Sequence, residues 1–272
     1  MKYFLYVTAL LALLILGSCE DVVSVDLNTA APKLVIDASI DWVKGTDGHV
    51  QKIKLSTSTG FYSNEIPTVS GATVQIKNSG NTVFEFVEIP NTGEYVCANF
   101  TPVLNESYEL TVVCAGQTYT ATEKMMPVPA ITTIEQENES GLSEDQIKVK
   151  FYFQDNGAEV NNYMTAVKTD HIVYPYYGVF DDEFFQGNEI FWSYSHEDLA
   201  SGDQMNITLY GISKRFQNYM NVLLTASHGM GGPWSTTPSN VKGNLINETD
   251  SQNFALGYFR LSEVDKRTYS VQ

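Results

Sequence analysis

From Lys33 onward, apolar and polar residues alternate with period two along most of the chain. In "KLVIDASIDWV" the positions Leu34, Ile36, Ala38, Ile40 and Trp42 fall on one face. Successive strand side chains point to opposite sides, so such a run predicts a strand with one face in the core. The pattern returns in "HVQKIKLSTS", "ATVQIKN", "TVFEFVEI", "NTGEYVCA", "SYELTVVCAG" and "QTYTATEK", with turn signals such as "SGN" between the runs. That makes seven predicted strands at the short spacing of a β-sandwich. An immunoglobulin-like or transthyretin-like sandwich is expected over residues 33–127. "MMPVPAI" (125–131) ends the run. Proline has no N–H to give a ladder, so a domain joint is placed near Pro127.

Residues 128–272 read as a second β-rich domain. "QIKVKFYFQD", "NYMTAVKTD", "HIVYPYYGVF", "EIFWSY" and "MNITLYGIS" predict strands, and "FALGYFRLSEV" and "RTYSVQ" predict two more at the end. Between them the period changes. Phe216, Tyr219, Met220, Leu223 and Leu224 recur at i, i+3, i+4, i+7 and i+8, the stripe of a helix over about 213–226. Ser213 is placed to cap it and Gly229 to stop it. A Gly/Pro/Ser-rich loop, "GMGGPWSTTPSNVKGN", follows.

The first 18 residues break the alternation. Met1-Lys2 is a minimal positive start, and Phe4 to Leu16 is nearly unbroken apolar sequence. The run is shorter than the roughly 20 residues that span a bilayer as a helix. With Leu16, Gly17 and Ser18 before Cys19, it reads as a secretory signal ending in a lipobox. An ordinary signal peptide with a chance cysteine is the plainer alternative. Only 3 cysteines occur in the chain, and one stands at the required place. Cleavage before Cys19 and its acylation, with palmitoyl-type chains, would tether the protein through residues 19–32. Each buried CH₂ adds roughly 0.8 kcal/mol, and a second chain makes release slow. Glu20 and Asp21 directly behind the cysteine resemble a signal for export to the outer face of the outer membrane.

Charge narrows the partners. With 16 Lys plus Arg against 32 Asp plus Glu, the formal net charge is -16. A nucleic-acid binder needs a basic footprint, and this chain has none. Cys97 and Cys114 are expected to stay free. In a hairpin centred on "TPVLNE", Cys97 would face about Leu110, leaving Cys114 over roughly 10 Å away along the strand.

Several segments taken in order carry a family resemblance: "CEDVVSVDL", "KLVIDASI", "PTVSGATVQI", "GEYV", "SYELTVVCAGQTYTATEKM", "LYGISKRFQNYM", "PSNVKGN" and "ALGYF". Together they resemble a family of Bacteroidota surface lipoproteins known as a domain of unknown function. Its members are typically encoded beside TonB-dependent outer-membrane receptors. The resemblance implies location and company. It brings no catalytic residues with it.

The search for chemistry returns little. The 4 histidines form no HExxH or comparable zinc spacing, and GxSxG, P-loop and GxGxxG motifs are missing. No metal site and no cofactor are expected. "SHED" (195–198) reads as a turn. "FDDEF" (180–184) reads as a solvated hairpin tip, with a calcium site as the sharper alternative. One segment stands out: Tyr174 to Tyr194 holds nine aromatic residues in 21. One face of such strands can be core, and the other must be covered or exposed. If the helix at 213–226 covers it, the run is core. If not, Tyr176, Tyr177, Trp192 and, on the glycine-rich loop, Trp234 are the candidate binding residues. The expectation is a non-catalytic, outward-facing outer-membrane lipoprotein serving a TonB-dependent uptake system. A fimbrial or adhesive subunit is the alternative, and a carboxylate-dependent hydrolase ranks third.

Overall fold

A computed structural model describes residues 31–60, 63, 65–139, 146–228 and 241–272. The seven alternating runs of the first half all become strands: β1 (Leu34–Val43), β2 (Gln51–Thr57), β3 (Thr73–Asn78), β4 (Val83–Ile89), β5 (Glu94–Cys97), β6 (Ser107–Cys114) and β7 (Gln117–Met126). Their apolar positions meet inside as the period demands. Ile36, Ala38, Ile40, Ile53, Leu55 and Ile76 are wholly buried, while Lys52 and Lys54 point outward.

The second half supplies β8 (Ile131–Glu139), β9 (Gln146–Gln154), β10 (Asn162–Lys168), β11 (Tyr176–Asp181), β12 (Glu189–Ser195), β13 (Gln204–Ile212), α1 (Lys214–His228), β14 (Ile246–Asn247) and β15 (Leu256–Ser270). The expected final pair of strands is one strand of 15 residues. It runs parallel to β1 from Val35↔Leu256 to Val43↔Val264, then antiparallel to β13 from Tyr210↔Val264 to Gln204↔Ser270.

Two expectations are amended by this strand. First, the plain sandwich closes on itself. The order β15-β1-β2-β5-β4-β3-β6-β7 returns to β15 through Leu261↔Met125 and Ser262↔Met126, giving a closed eight-stranded sheet. Second, the joint near Pro127 does not separate the strands cleanly, because residues 256–264 complete the sheet of the first half. The Pro127 crossing is itself clamped to β15. Glu263 accepts the Val128 amide at 2.9 Å and Asp265 accepts the Ile131 amide at 2.6 Å. Gly211 permits the close approach, since a Cβ there would stand 1.9 Å from the Pro127 carbonyl oxygen.

Beyond β15 the sheet continues as β13, β10 and β11. Both its faces are covered, and residues 162–167 of β10 are all buried. On one face, Met164 and Ile212 pack with Phe216, Met220 and Tyr258 under α1. On the other, Tyr163, Val167, Ile207 and Leu209 pack against Val149, Phe151 and Phe153 of the separate β12-β9-β8 sheet. The helix starts as its sequence indicates, with the Phe216 amide donating to Ser213 Oγ at 3.2 Å. Gly229 lies outside the described residues. No described helix is long and apolar enough to cross a membrane.

Cys97 and Cys114 are free. The expected hairpin between their strands does not form: β5 pairs with β2 and β4, and β6 with β3 and β7. The separation of the thiols thus has a different cause. Cys97 stands opposite Gln51 and Cys114 opposite Gln117. Cys97 is buried, whereas Cys114 is only partly so.

Candidate functional site

β11 and β12 are both edge strands, one on each sheet of the second half. They face each other across the open side of the layer. Trp192 closes the middle of that seam. Its ring stacks on Phe180 at 5.1 Å and 10° and lies flat over Gly178, where a Cβ would meet the ring at 2.2 Å. Past Trp192 the two edges diverge into an open groove of about 510 Å³, lined on one side by Ile172 to Tyr176 and on the other by Ser193 to His196.

Each wall has a local reason for its shape. Pro175 ends the ladder just before β11, so Val173 and Tyr174 leave the sheet and are 82% and 80% exposed. Lys168 Nζ ties that loop down by donating to the carbonyls of Thr169 and Ile172. His171 Nε2 lies 2.8 Å from Asp203 Oδ2, which also accepts the Ala200 amide at 2.7 Å. The amide and then the imidazole hold the Asp203 carboxyl below the usual range. On the opposite wall, Tyr194 is buried beneath Tyr176, ring centres 5.8 Å apart, and stacks on His196 at 6.5 Å. Burial pushes the Tyr194 hydroxyl up, so it stays a neutral phenol. His196 Nδ1 accepts the Asp198 amide at 3.2 Å within the turn expected from "SHED". The groove therefore offers ring faces, a proline and two serines on a fixed frame.

Only part of the sequence-based site lies here. Tyr176 is 49% exposed and lines the groove. Tyr177 points the other way and packs under α1, so its reading as a binding residue is corrected to core. Trp192 is corrected likewise, because it packs into the core between the sheets. Trp234, and Cys19 as the expected lipidation residue, lie outside the described residues. The run did contain the exposed Tyr174, and the proline after it was the signal that the residue leaves the strand. The "FDDEF" reading is half corrected: Phe184 and Phe185 are exposed at the tip, but Asp182 is wholly buried.

The folded body is mainly β with a single described helix. The chain belongs to the family described as a domain of unknown function, DUF4249, whose model matches residues 20–268. No curated protein matches it. Among solved structures, a two-domain fibronectin type III segment of chicken tenascin is 11% identical, covering 66% of this chain and 90% of its own, with a TM-score of 0.23. The FN1–FN3 domains of chicken CNTN1 are 12% identical, over 60% of this chain and 56% of theirs, with a TM-score of 0.23. A DUF4785 family protein from Legionella pneumophila is 8% identical, over 65% of this chain and 52% of its own, with a TM-score of 0.25.

Proposed function

We propose that the protein is a cell-surface, outer-membrane lipoprotein that binds a ligand without transforming it, as an accessory of a TonB-dependent uptake system. Acylated Cys19 is the anchor, and Glu20 and Asp21 behind it direct the protein outward. The observation that carries the reading is the position of the groove. β1 begins at Leu34, and Val35 lies beside Leu256 at the start of β15. Tyr176 of the groove lines up through Val167 and Ile207 with Arg267, eleven residues further along β15. At strand rise that is about 36 Å. The chain enters β1 near one end of that span, and Tyr176 of the groove lines up with the other. Tyrosine rings on a rigid frame supply contact area at small entropic cost, which suits recognition of a partner or nutrient.

The test is retrieval of partners from solubilised outer membranes with tagged full-length protein. Wild type is expected to bring down a TonB-dependent receptor, and Tyr174→Ala/Tyr176→Ala much less of it. Cys19→Ala is expected to leave the membrane fraction. Wild type that retrieves no receptor, or a double variant that retrieves as much, overturns the assignment.

A further inference from the structure

Five carboxylates are buried among the described residues: Glu123, Asp155, Asp182, Glu263 and Asp265. Three have a cation. Arg215 stands 3.6 Å from Glu123, Lys44 2.8 Å from Glu263 and Arg267 3.1 Å from Asp265. Asp155 and Asp182 have none among the described residues, although they are 5% and 0% exposed. They adjoin at the foot of the 182–188 loop. Asp155 Oδ1 accepts the Tyr163 hydroxyl at 2.5 Å, and its Oδ2 accepts the Gly187 amide at 2.7 Å. Asp182 Oδ2 accepts the Asn161 amide at 2.9 Å. Two oxygens nearby are left over. Asp182 Oδ1 and Asn161 Oδ1 are both buried without a partner, and Asn161 is only 7% exposed. Asn161 stands against the pair, because its amide donates to Asp182 Oδ2 and its carbonyl accepts the Asp182 amide at 3.2 Å. The two carboxyls stand side by side, close enough to share a hydrogen bond.

Uncompensated buried carboxylates cost several kcal/mol each, so this pair calls for positive charge. A shared proton would supply one charge and satisfy Asp182 Oδ1, but Asn161 Oδ1 would stay orphaned. A divalent cation supplies two charges and satisfies both oxygens. We propose that Asp155, Asp182 and Asn161 form a calcium site at the base of the 182–188 loop. No three His, Cys, Asp or Glu side chains converge among the described residues, which disfavours a transition metal. Two carboxylates and an amide oxygen, with loop carbonyls and water completing about six to eight ligands, suit calcium, which accepts irregular oxygen shells. A cavity of about 210 Å³ lined by Pro127, Asn156, Asn161 and Tyr163 reaches two of the residues that flank the pair. Calcium there would fix the loop that presents Phe184 and Phe185, 83% and 55% exposed.

The experiment uses full-length protein stripped with chelator. One calcium per chain is expected by titration calorimetry, with a rise in thermal midpoint of about 5 °C once calcium is well above Kd. Magnesium is expected to do less. Terbium luminescence sensitised through Tyr163 gives a second readout on the unaltered chain, quenched by added calcium. Asp182→Asn, which removes charge but keeps shape, is expected to fold and to lose at least tenfold in calcium affinity. Phe184→Ala is expected to bind as wild type does. No calcium-dependent midpoint shift and no terbium signal at millimolar ion would overturn the site. So would equal affinity in Asp182→Asn, or a midpoint that follows pH alone, the mark of a shared proton.

Discussion

At the scale of single residues, what matters is which face of a strand is covered. Tyr174 and Trp192 belong to one aromatic run, and composition treats them alike. Tyr174 follows no ladder and is 80% exposed, whereas Trp192 is packed between two sheets. Trp192→Ala should cost about 3–5 kcal/mol, because it removes the stack on Phe180 and leaves a void over Gly178. Tyr174→Ala should change stability by less than about 0.5 kcal/mol. Denaturant midpoints of the two variants decide this, and equal losses would mean that the groove wall is structural. The thiols make a second residue-scale case. Cys97 is 1% exposed, and burial pushes the Cys114 thiol up. A thiolate is the reactive form, so both should label with iodoacetamide more slowly in the native protein than after unfolding. Native mass with a disulfide, or labelling of Cys97 as fast as in the unfolded chain, would contradict the packing.

At the scale of elements, alternation made the first seven strands legible because each has one wet face and one dry face. It failed where that condition fails. β8 was missed: "ITTIEQENE" is mostly polar, and only Ile131 and Ile134 reach the core. β15 was cut in two because Asp265 and Lys266 interrupt its apolar run. Asp265 is buried there for a reason no local pattern carries, the Ile131 amide that it accepts from across the joint. The aromatic run was ambiguous for a related cause. Period two says that Tyr176 and Tyr177 diverge, but not that α1 covers one of them. The helix, with a period of its own, was plain. It is also tied at its start to β11, where Lys214 Nζ meets Asp181 Oδ2 at 2.8 Å. That lysine, and then Gln217, hold the Asp181 carboxyl below its usual value of 3.8. A depressed carboxylate stabilises the fold above its unfolded pKa, and the contribution is lost as pH falls through the lower folded value. Asp181→Asn should therefore destabilise slightly at neutral pH, by less than about 1 kcal/mol for so exposed a pair. The difference from wild type should vanish in acid below the ordinary aspartate range. A penalty that persists at low pH would mean that shape, not charge, is what the variant loses.

At the scale of the whole molecule, β15 decides how the two halves behave. Its first part completes the closed sheet beside β1, and its second part anchors β13 and through it the layer that carries the groove. Between them Glu263 and Asp265 grip the Pro127 crossing. A chain cut at that crossing would leave the first half without its closing strand. The halves should therefore unfold together, although the composition of the joint suggests two bodies on a hinge. Leu261 is wholly buried in the closed sheet and stands beside both Ile40 and Met125. Leu261→Ala should cost about 2–5 kcal/mol. Because β15 is shared, that loss should appear equally in hydrogen-exchange protection of β3 and β6 and of β9 and β10, which Leu261 does not touch through any ladder. Denaturant curves should keep one transition, displaced without broadening. Two separated transitions, or loss of protection confined to the closed sheet, would show that the groove-bearing layer folds on its own and that β15 links the halves without coupling them.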